Sequence, residues 1–139
     1  SSLVANYSGK KWTEATFAQY ADKYGWLPDD FYPYIINRNT IKSFDNISVN
    51  NGETTFTLNL DPKTSTTKYK KRMASYSGQT PSEFYDVKLT YKLNSVGNLI
   101  SLDIYETYKV SVASCTGKLT ETFVEINGSS VGEIEKPTL

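Results

Sequence analysis

The feature that most constrains this chain is a two-residue alternation of apolar and polar side chains that begins near Phe84. Such alternation places apolar side chains on one face of a β-strand and polar ones on the other. In the first strand the apolar set is Val87, Leu89, Tyr91 and Leu93, and the polar set is Lys88, Thr90 and Lys92. After a hairpin loop at 94–98, the apolar phase returns at Ile100, Leu102, Ile104, Tyr108 and Val110. The second half of the chain is therefore predicted to form an antiparallel sheet with one apolar face.

A second hairpin is predicted in the first half of the chain, where Asn51-Gly52 is the strongest short hairpin signal. The outgoing strand, Thr54–Leu60, alternates between large apolar residues and Thr or Asn. The sequence also favours a short strand within Ile35–Phe44. These segments add strands to the same sheet.

Two helices are predicted on either side of that hairpin. Residues Thr13–Gly25 fit a helix with Thr13 as its N-cap and Gly25 as its stop, because apolar residues recur every three or four positions. Asp61 and Pro62 open a second helix that extends to about Tyr76, with Gly78 as its stop. Its narrow apolar stripe is Tyr69, Met73 and Tyr76.

The order of elements predicts an α+β fold. We expect an antiparallel, curved, meandering sheet of about five to seven strands, with two helices packed on one face. The last strands are predicted at Cys115–Ile126 and, after an Asn127-Gly128 turn, at Val131–Ile134. All 139 residues fit one domain.

Composition excludes several function classes. Lys and Arg total 15 and Asp and Glu total 15, and this zero net charge argues against nucleic acid as the main partner. The chain has no His, which removes Ser-His-Asp and Cys-His catalysis and histidine-ligated zinc. Its one cysteine rules out an internal disulfide. No apolar run reaches the length of a membrane span, and no motif calls for a cofactor.

The best candidate binding residues lie in an aromatic loop bounded by prolines. The loop carries Trp26, Phe31, Tyr32 and Tyr34. Tyr and Trp offer apolar area with a polar tip, which suits stacking on a sugar ring or a peptide. The competing interpretation is that the rings fold over the open end of the sheet.

Three other groups have an ordinary structural explanation. Cys115 lacks a histidine to activate it and is expected to be a small buried residue in a strand. Asp103 and Glu106 have opposite parity, so a regular strand sends them to opposite faces. The basic residues of the second helix spread around it, which is typical of a solvated outer face; they are Lys68, Lys70, Lys71 and Arg72.

Several segments together resemble a repeat domain of uncharacterised exported lipoproteins of Gram-positive gut bacteria. They are 34–37 with 40–41, 60–62 with 69–73, 89–90 with 99–108, and 115–123. The helix-and-sheet layout is also similar to the lipoprotein-carrier fold, which wraps a half-open sheet around a hydrophobic ligand. The resemblance implies export, attachment to the cell surface elsewhere in a longer protein, and no known reaction. Because the chain begins Ser1-Ser2-Leu3, we expect a processed product or an excised domain.

The preferred hypothesis is a non-catalytic extracellular or cell-surface binding or scaffold domain. Its ligand, a glycan, a peptide or a hydrophobic molecule, would lie against the sheet or the aromatic loop. The alternatives are a glycosidase-like hydrolase that uses carboxylates alone, and a structural spacer that binds nothing.

Overall fold

A computed structural model of the chain describes residues 3–8, 11–24, 33–78, 83–124 and 132. Its main feature is an open, five-stranded antiparallel sheet in which each strand pairs with the next one along the chain. The predicted antiparallel meander is therefore confirmed. Two further strands form a separate hairpin. The elements are β1 (Leu3–Ser8), β2 (Lys11–Thr16), α1 (Phe17–Tyr24), β3 (Ile41–Asn50), β4 (Glu53–Leu60), α2 (Pro62–Ser65), α3 (Thr67–Ser77), β5 (Glu83–Leu93), β6 (Leu99–Val110) and β7 (Ala113–Thr122).

The core lies on the apolar face that the alternation predicts. Leu89 and Leu102 on the central strands β5 and β6 are fully enclosed, and Val87 is nearly so. From β4, Leu58 pairs with Leu89 and is also buried. Because the side-chain period of a strand is two, these pairings place the inward residues of three adjacent strands on one face. Tyr69 and Met73 of α3 pack against this cluster.

The predicted hairpin turn at Asn51-Gly52 is confirmed. Both residues have positive φ, 51° and 81°, which is the backbone of a two-residue type I′ turn. Asn50 and Glu53 pair across it. The incoming strand begins at Ile41, so it overlaps the predicted segment Ile35–Phe44 only from that residue onward.

A hydroxyl explains that late start. The Thr40 side chain accepts a hydrogen bond from the Asn37 N–H (2.9 Å) and donates to the Ile35 carbonyl (2.8 Å). The backbone N–H of Thr40 also donates to the Asn37 carbonyl (3.0 Å). These local bonds hold residues 37–40 as a turn instead of an extended strand.

The first helix also begins later than its sequence suggests. Residues 11–16 pair with β1 as a strand, so Thr13 is not a cap. The cap is Thr16: its hydroxyl accepts from the Gln19 N–H (3.2 Å), and the Gln19 side chain accepts from the Thr16 N–H (2.9 Å). This reciprocal pair is a capping box.

The second helix begins and ends as predicted but is interrupted. The Asp61 carboxylate accepts from the N–H groups of Lys63 and Thr64 (2.8 and 3.1 Å), and Gly78 ends the helix with a φ of 67°. Between them, buried Thr66 separates α2 from α3, and its hydroxyl donates to the Pro62 carbonyl (2.6 Å).

The last described strand ends at Thr122, so it begins and ends earlier than predicted. The two-residue turn Ser111-Val112 joins it to β6, since Val110 pairs with Ala113. The predicted turn at Asn127-Gly128 and the edge strand at Val131–Ile134 lie outside the described residues.

Two glycines allow a test of the hairpin backbone. Gly52 and Gly97 both have positive φ, but an added Cβ at Gly52 meets the Ser95 Cβ at 3.2 Å, whereas at Gly97 it meets open space. We expect Gly97→Ala to lower the free energy of unfolding by about 1–2 kcal/mol from backbone strain alone. Gly52→Ala should lower the free energy of unfolding by at least as much, and urea denaturation measures both changes. An unchanged midpoint in either variant would contradict the assigned turns, and exposed Val112→Ala is the control.

Candidate functional site

The predicted aromatic loop is represented in the structure by Tyr34. Trp26, Phe31 and Tyr32 lie outside the described residues, so ligand binding by this group stays a prediction. Tyr34 is 5% exposed and belongs to the core. Its ring meets the Tyr69 ring edge-on, with centroids 5.3 Å apart, and its hydroxyl donates to Glu106 Oε2 (2.5 Å).

Glu106 is a carboxyl group enclosed on the apolar face of the sheet. It is 5% exposed and lies on β6 in phase with Leu102 and Ile104. Its Oε1 accepts a hydrogen bond from the Tyr69 hydroxyl at 3.1 Å. Among the ion pairs between described residues, none involves this carboxyl group. Burial raises the pKa of Glu106 above its ordinary value, because the charged form loses hydration, and the two tyrosine hydrogen bonds act in the opposite direction.

The neighbouring strand leaves room for this carboxyl group. Gly117 on β7 pairs directly with Glu106. A Cβ added to Gly117 would lie 2.7 Å from both Cγ and Oε1 of Glu106, closer than real Cβ atoms approach. A glycine inside a strand weakens it, so its presence marks a close approach. The Glu106 side chain therefore lies across the backbone of β7.

Aromatic rings surround the carboxyl group. The ring centroids of Tyr69 and Phe84 are 5.5 Å apart, and those of Phe84 and Tyr108 are 5.2 Å apart. Burial, with the adjacent Glu106 carboxylate, raises the pKa of Tyr34 and of Tyr69 above the ordinary tyrosine range. Both hydroxyls therefore keep their protons and act as donors. We refer to Glu106, Tyr34, Tyr69 and Gly117 as the Glu106 cluster.

Sequence reasoning missed this cluster although a signal was present. Every second residue from Ile100 to Val110 is apolar except Glu106, which lies between Ile104 and Tyr108 in this alternation. A carboxyl group at such a position needs partners, because unpaired burial is costly. The predicted separation from Asp103 is confirmed: Asp103 is exposed and pairs with Thr120, whose hydroxyl donates to it at 2.6 Å.

The other predicted groups have structural positions. Cys115 lies in β7 as predicted but is only half-buried, and it pairs with Tyr108. On α3, Lys68 and Lys71 are exposed, while Arg72 is half-buried close to Tyr69. The basic residues are thus spread around the helix, as the sequence indicates.

A second feature is a row of exposed apolar side chains on β3. Phe44, Ile47 and Val49 are 56%, 69% and 67% exposed, and we call them the β3 ledge. The Phe44 ring lies 6.5 Å from the Phe56 ring, which stacks on Tyr91 at 5.2 Å. The register places Phe44 and Val49 on the apolar face of the sheet. In the described sheet β3 is an edge strand that pairs with β4 only.

The opposite face of the sheet is polar. Across β4 and β5, the hydroxyls of Thr57 and Thr90 are hydrogen-bonded at 2.9 Å. Across β5 and β6, Thr107 donates to Asp86 at 3.3 Å. Tyr105 projects from β6 between two lysines, with Lys88 Nζ 5.7 Å and Lys118 Nζ 5.9 Å from its ring centroid. We call this surface the polar face.

Comparison of the chain with protein-family models, with curated proteins and with solved structures gave no match.

Within the described residues, no three His, Cys, Asp or Glu side chains are grouped so that they could hold a metal ion. In the same part of the chain, no helix has both the length and the hydropathy that crossing a membrane requires.

Replacing Glu106 by Gln tests the buried carboxyl group. Because the folded state holds this proton more tightly than the unfolded chain, Glu106 makes the wild-type protein less stable as pH rises from the ordinary Glu pKa through the raised one. Glu106→Gln lacks this contribution. The free energy of unfolding of the variant minus that of the wild type should therefore increase as the pH rises above the ordinary Glu pKa of about 4, as measured by urea denaturation. A difference that is constant with pH would show that the carboxyl group is not perturbed.

Gly117→Ala tests the close approach between β6 and β7. The added methyl group overlaps Glu106 and should lower the free energy of unfolding by about 1–3 kcal/mol, as overpacking does. In a Glu106→Ala background the same change should cost much less, because the obstructing atoms are gone. Equal costs in both backgrounds would contradict the packing.

Proposed function

We propose that this chain is a non-catalytic binding domain whose partner is an extended polypeptide segment seated on the β3 ledge. The supporting observation is the exposure of Phe44, Ile47 and Val49 on a single edge strand. Contiguous apolar surface on a soluble domain marks an interaction site more often than chance. The rings of Phe56 and Tyr91 continue this surface toward the centre of the sheet.

The edge strand favours a polypeptide as the occupant. β3 is ten residues long, and one side of its backbone has no partner strand among the described residues. An added strand gains main-chain hydrogen bonds there, and its alternate side chains meet the apolar ledge. A carbohydrate fits less well, since the exposed side chains of the ledge are hydrocarbon and offer no hydrogen bonds.

The hydrogen bonds of the buried carboxyl group support a non-catalytic function. Glu106 is engaged by Tyr34 and Tyr69, and Asp103 points to the other face. Carboxylate-only hydrolysis needs two such groups flanking a substrate. The described residues thus favour a binding domain over the hydrolase.

Two finer features belong to the same proposal. The sheet is curved, which the bulge between Asp45 and Ser48 and the positive φ of Asn46 support. The helices lie on its apolar face, which the packing of Tyr69 and Met73 supports for α3.

We also propose an extracellular or cell-surface setting in a Gram-positive bacterium, which rests on the resemblance to exported lipoprotein repeat domains.

A peptide selection with two matched variants tests the function. A displayed library of random dodecapeptides is selected on the immobilised chain, and enriched peptides are measured by calorimetry. We expect peptides with alternating apolar residues, and Val49→Lys should weaken them at least tenfold by placing a charge on the ledge. Val96→Lys, the same change at an exposed valine in the β5–β6 loop, should bind as the wild type does.

Two results would overturn the proposal. One is the absence of any enriched peptide, which is the result a spacer domain predicts. The other is an equal affinity of the wild type and Val49→Lys for the enriched peptides. Circular dichroism of both lysine variants checks that the chain remains folded.

A further inference from the structure

The polar face carries a second arrangement that the peptide proposal does not use. Its centre is Tyr105 on β6, which pairs with Lys88 on one side and with Lys118 on the other. Adjacent strands lie about 4.8 Å apart, so three strands present two ammonium groups beside one ring. Among the described ion pairs neither lysine is matched with a carboxylate. Within the described residues, the row formed by Lys88, Tyr105 and Lys118 therefore carries positive charge that no ion pair offsets.

A shallow cavity adjoins this row. It has a volume of about 270 Å³, is open to solvent, lies over the paired strands β6 and β7, and is lined by Asp103, Ile104, Tyr105, Lys118, Leu119 and Thr120. Asp103 and Thr120 are exposed and already joined by a hydrogen bond of 2.6 Å. One cavity thus combines a cation, a carboxylate, a hydroxyl and an aromatic ring. A small number of convergent polar groups beside an apolar surface is the usual composition of a ligand site.

We propose that this cavity binds a sugar ring that carries a carboxylate, the chemistry of a uronic acid. Lys118 pairs with the carboxylate through a charge-assisted hydrogen bond. Asp103 and Thr120 accept and donate hydrogen bonds to ring hydroxyls. The Tyr105 ring holds the Lys118 ammonium group beside the cavity through a cation–π contact.

The charges at the site select this class over other anions. Asp103 lies beside the cationic row and repels densely charged polymers, and the net charge of the chain is zero. A single carboxylate on a hydroxyl-rich ring matches the Lys118 ammonium group that lines the cavity and the adjacent Asp103 acceptor. This site lies on the face opposite the β3 ledge, so a negative result at one site leaves the proposal for the other site unaffected.

The test uses galacturonic acid, which has one carboxylate on one sugar ring, as the probe and its methyl ester as the neutral analogue. Chemical-shift titration of the ¹⁵N-labelled chain should give saturable shifts in β6 and β7 with the acid. The ester should bind at least tenfold more weakly, because it lacks the charge. Binding of the acid should also weaken as salt rises, since exposed charges are screened.

Paired variants identify the residues responsible. Lys118→Gln should reduce affinity for the acid at least tenfold, and Asp103→Asn should weaken the hydroxyl contacts of acid and ester alike. Lys92→Gln is the matched control, because Lys92 lies on the same face but is paired with Glu53 at 2.7 Å. It should bind as the wild type does, and Val49→Lys should do the same.

Three outcomes would overturn the inference. They are the absence of saturable shifts with the acid, equal binding of acid and ester, and unchanged affinity in Lys118→Gln. Titrations with sodium acetate and with inorganic phosphate test whether an anion without a sugar ring binds at the same site. If either shifts the same resonances with the affinity of galacturonic acid, the site binds a bare anion and the sugar assignment is wrong.

Discussion

The rest of the structure depends on how a carboxyl group is accommodated inside the apolar layer. Glu106 occupies a position that alternation assigns to a hydrophobic residue, and its burial is tolerable only because polar partners reach it. Those partners come from two separate segments, since Tyr34 precedes β3 and Tyr69 lies on α3. One side chain of the sheet therefore fixes the position of both segments that cover it. An apolar residue at 106 would pack equally well with many arrangements of the covering layer, whereas two directed hydrogen bonds select one.

The same sheet separates two kinds of surface. On the apolar face, burial is greatest around Leu89 and Leu102 and decreases toward β3, where large side chains are left exposed. On the polar face, threonine, lysine and aspartate pair across strands, with Tyr105 among them. An antiparallel sheet can keep one face in water, so it can present both surfaces without distorting the core. The two faces of the sheet therefore differ in chemistry, one apolar and one polar.

Local sequence signals predicted the parts of the fold that local physics decides. The type I′ turn at Asn51-Gly52, the Asp61 cap and the Gly78 stop each follow from a backbone preference of the residue itself. The predicted helix start was wrong where strand and helix compete for the same residues. Thr13 was predicted as the cap, but residues 11–16 pair with β1 as a strand, and the helix begins after Thr16. The Glu106 cluster was not predicted because its partners are distant in sequence, although the polar residue in an apolar phase marked the place.

The strand order has a consequence for how the chain folds. Every strand of the five-stranded sheet pairs with its sequence neighbour, and three of the four pairings close a short turn, so these hairpins can form one at a time. The fourth pairing, of β4 with β5, closes the longer segment that contains α2 and α3. The bond between Tyr34 and Glu106 joins residues 72 positions apart and closes a far longer loop. We therefore infer that the hairpins form first and that the segment carrying Tyr34 docks late, once β6 and its neighbours have built the pocket that receives it.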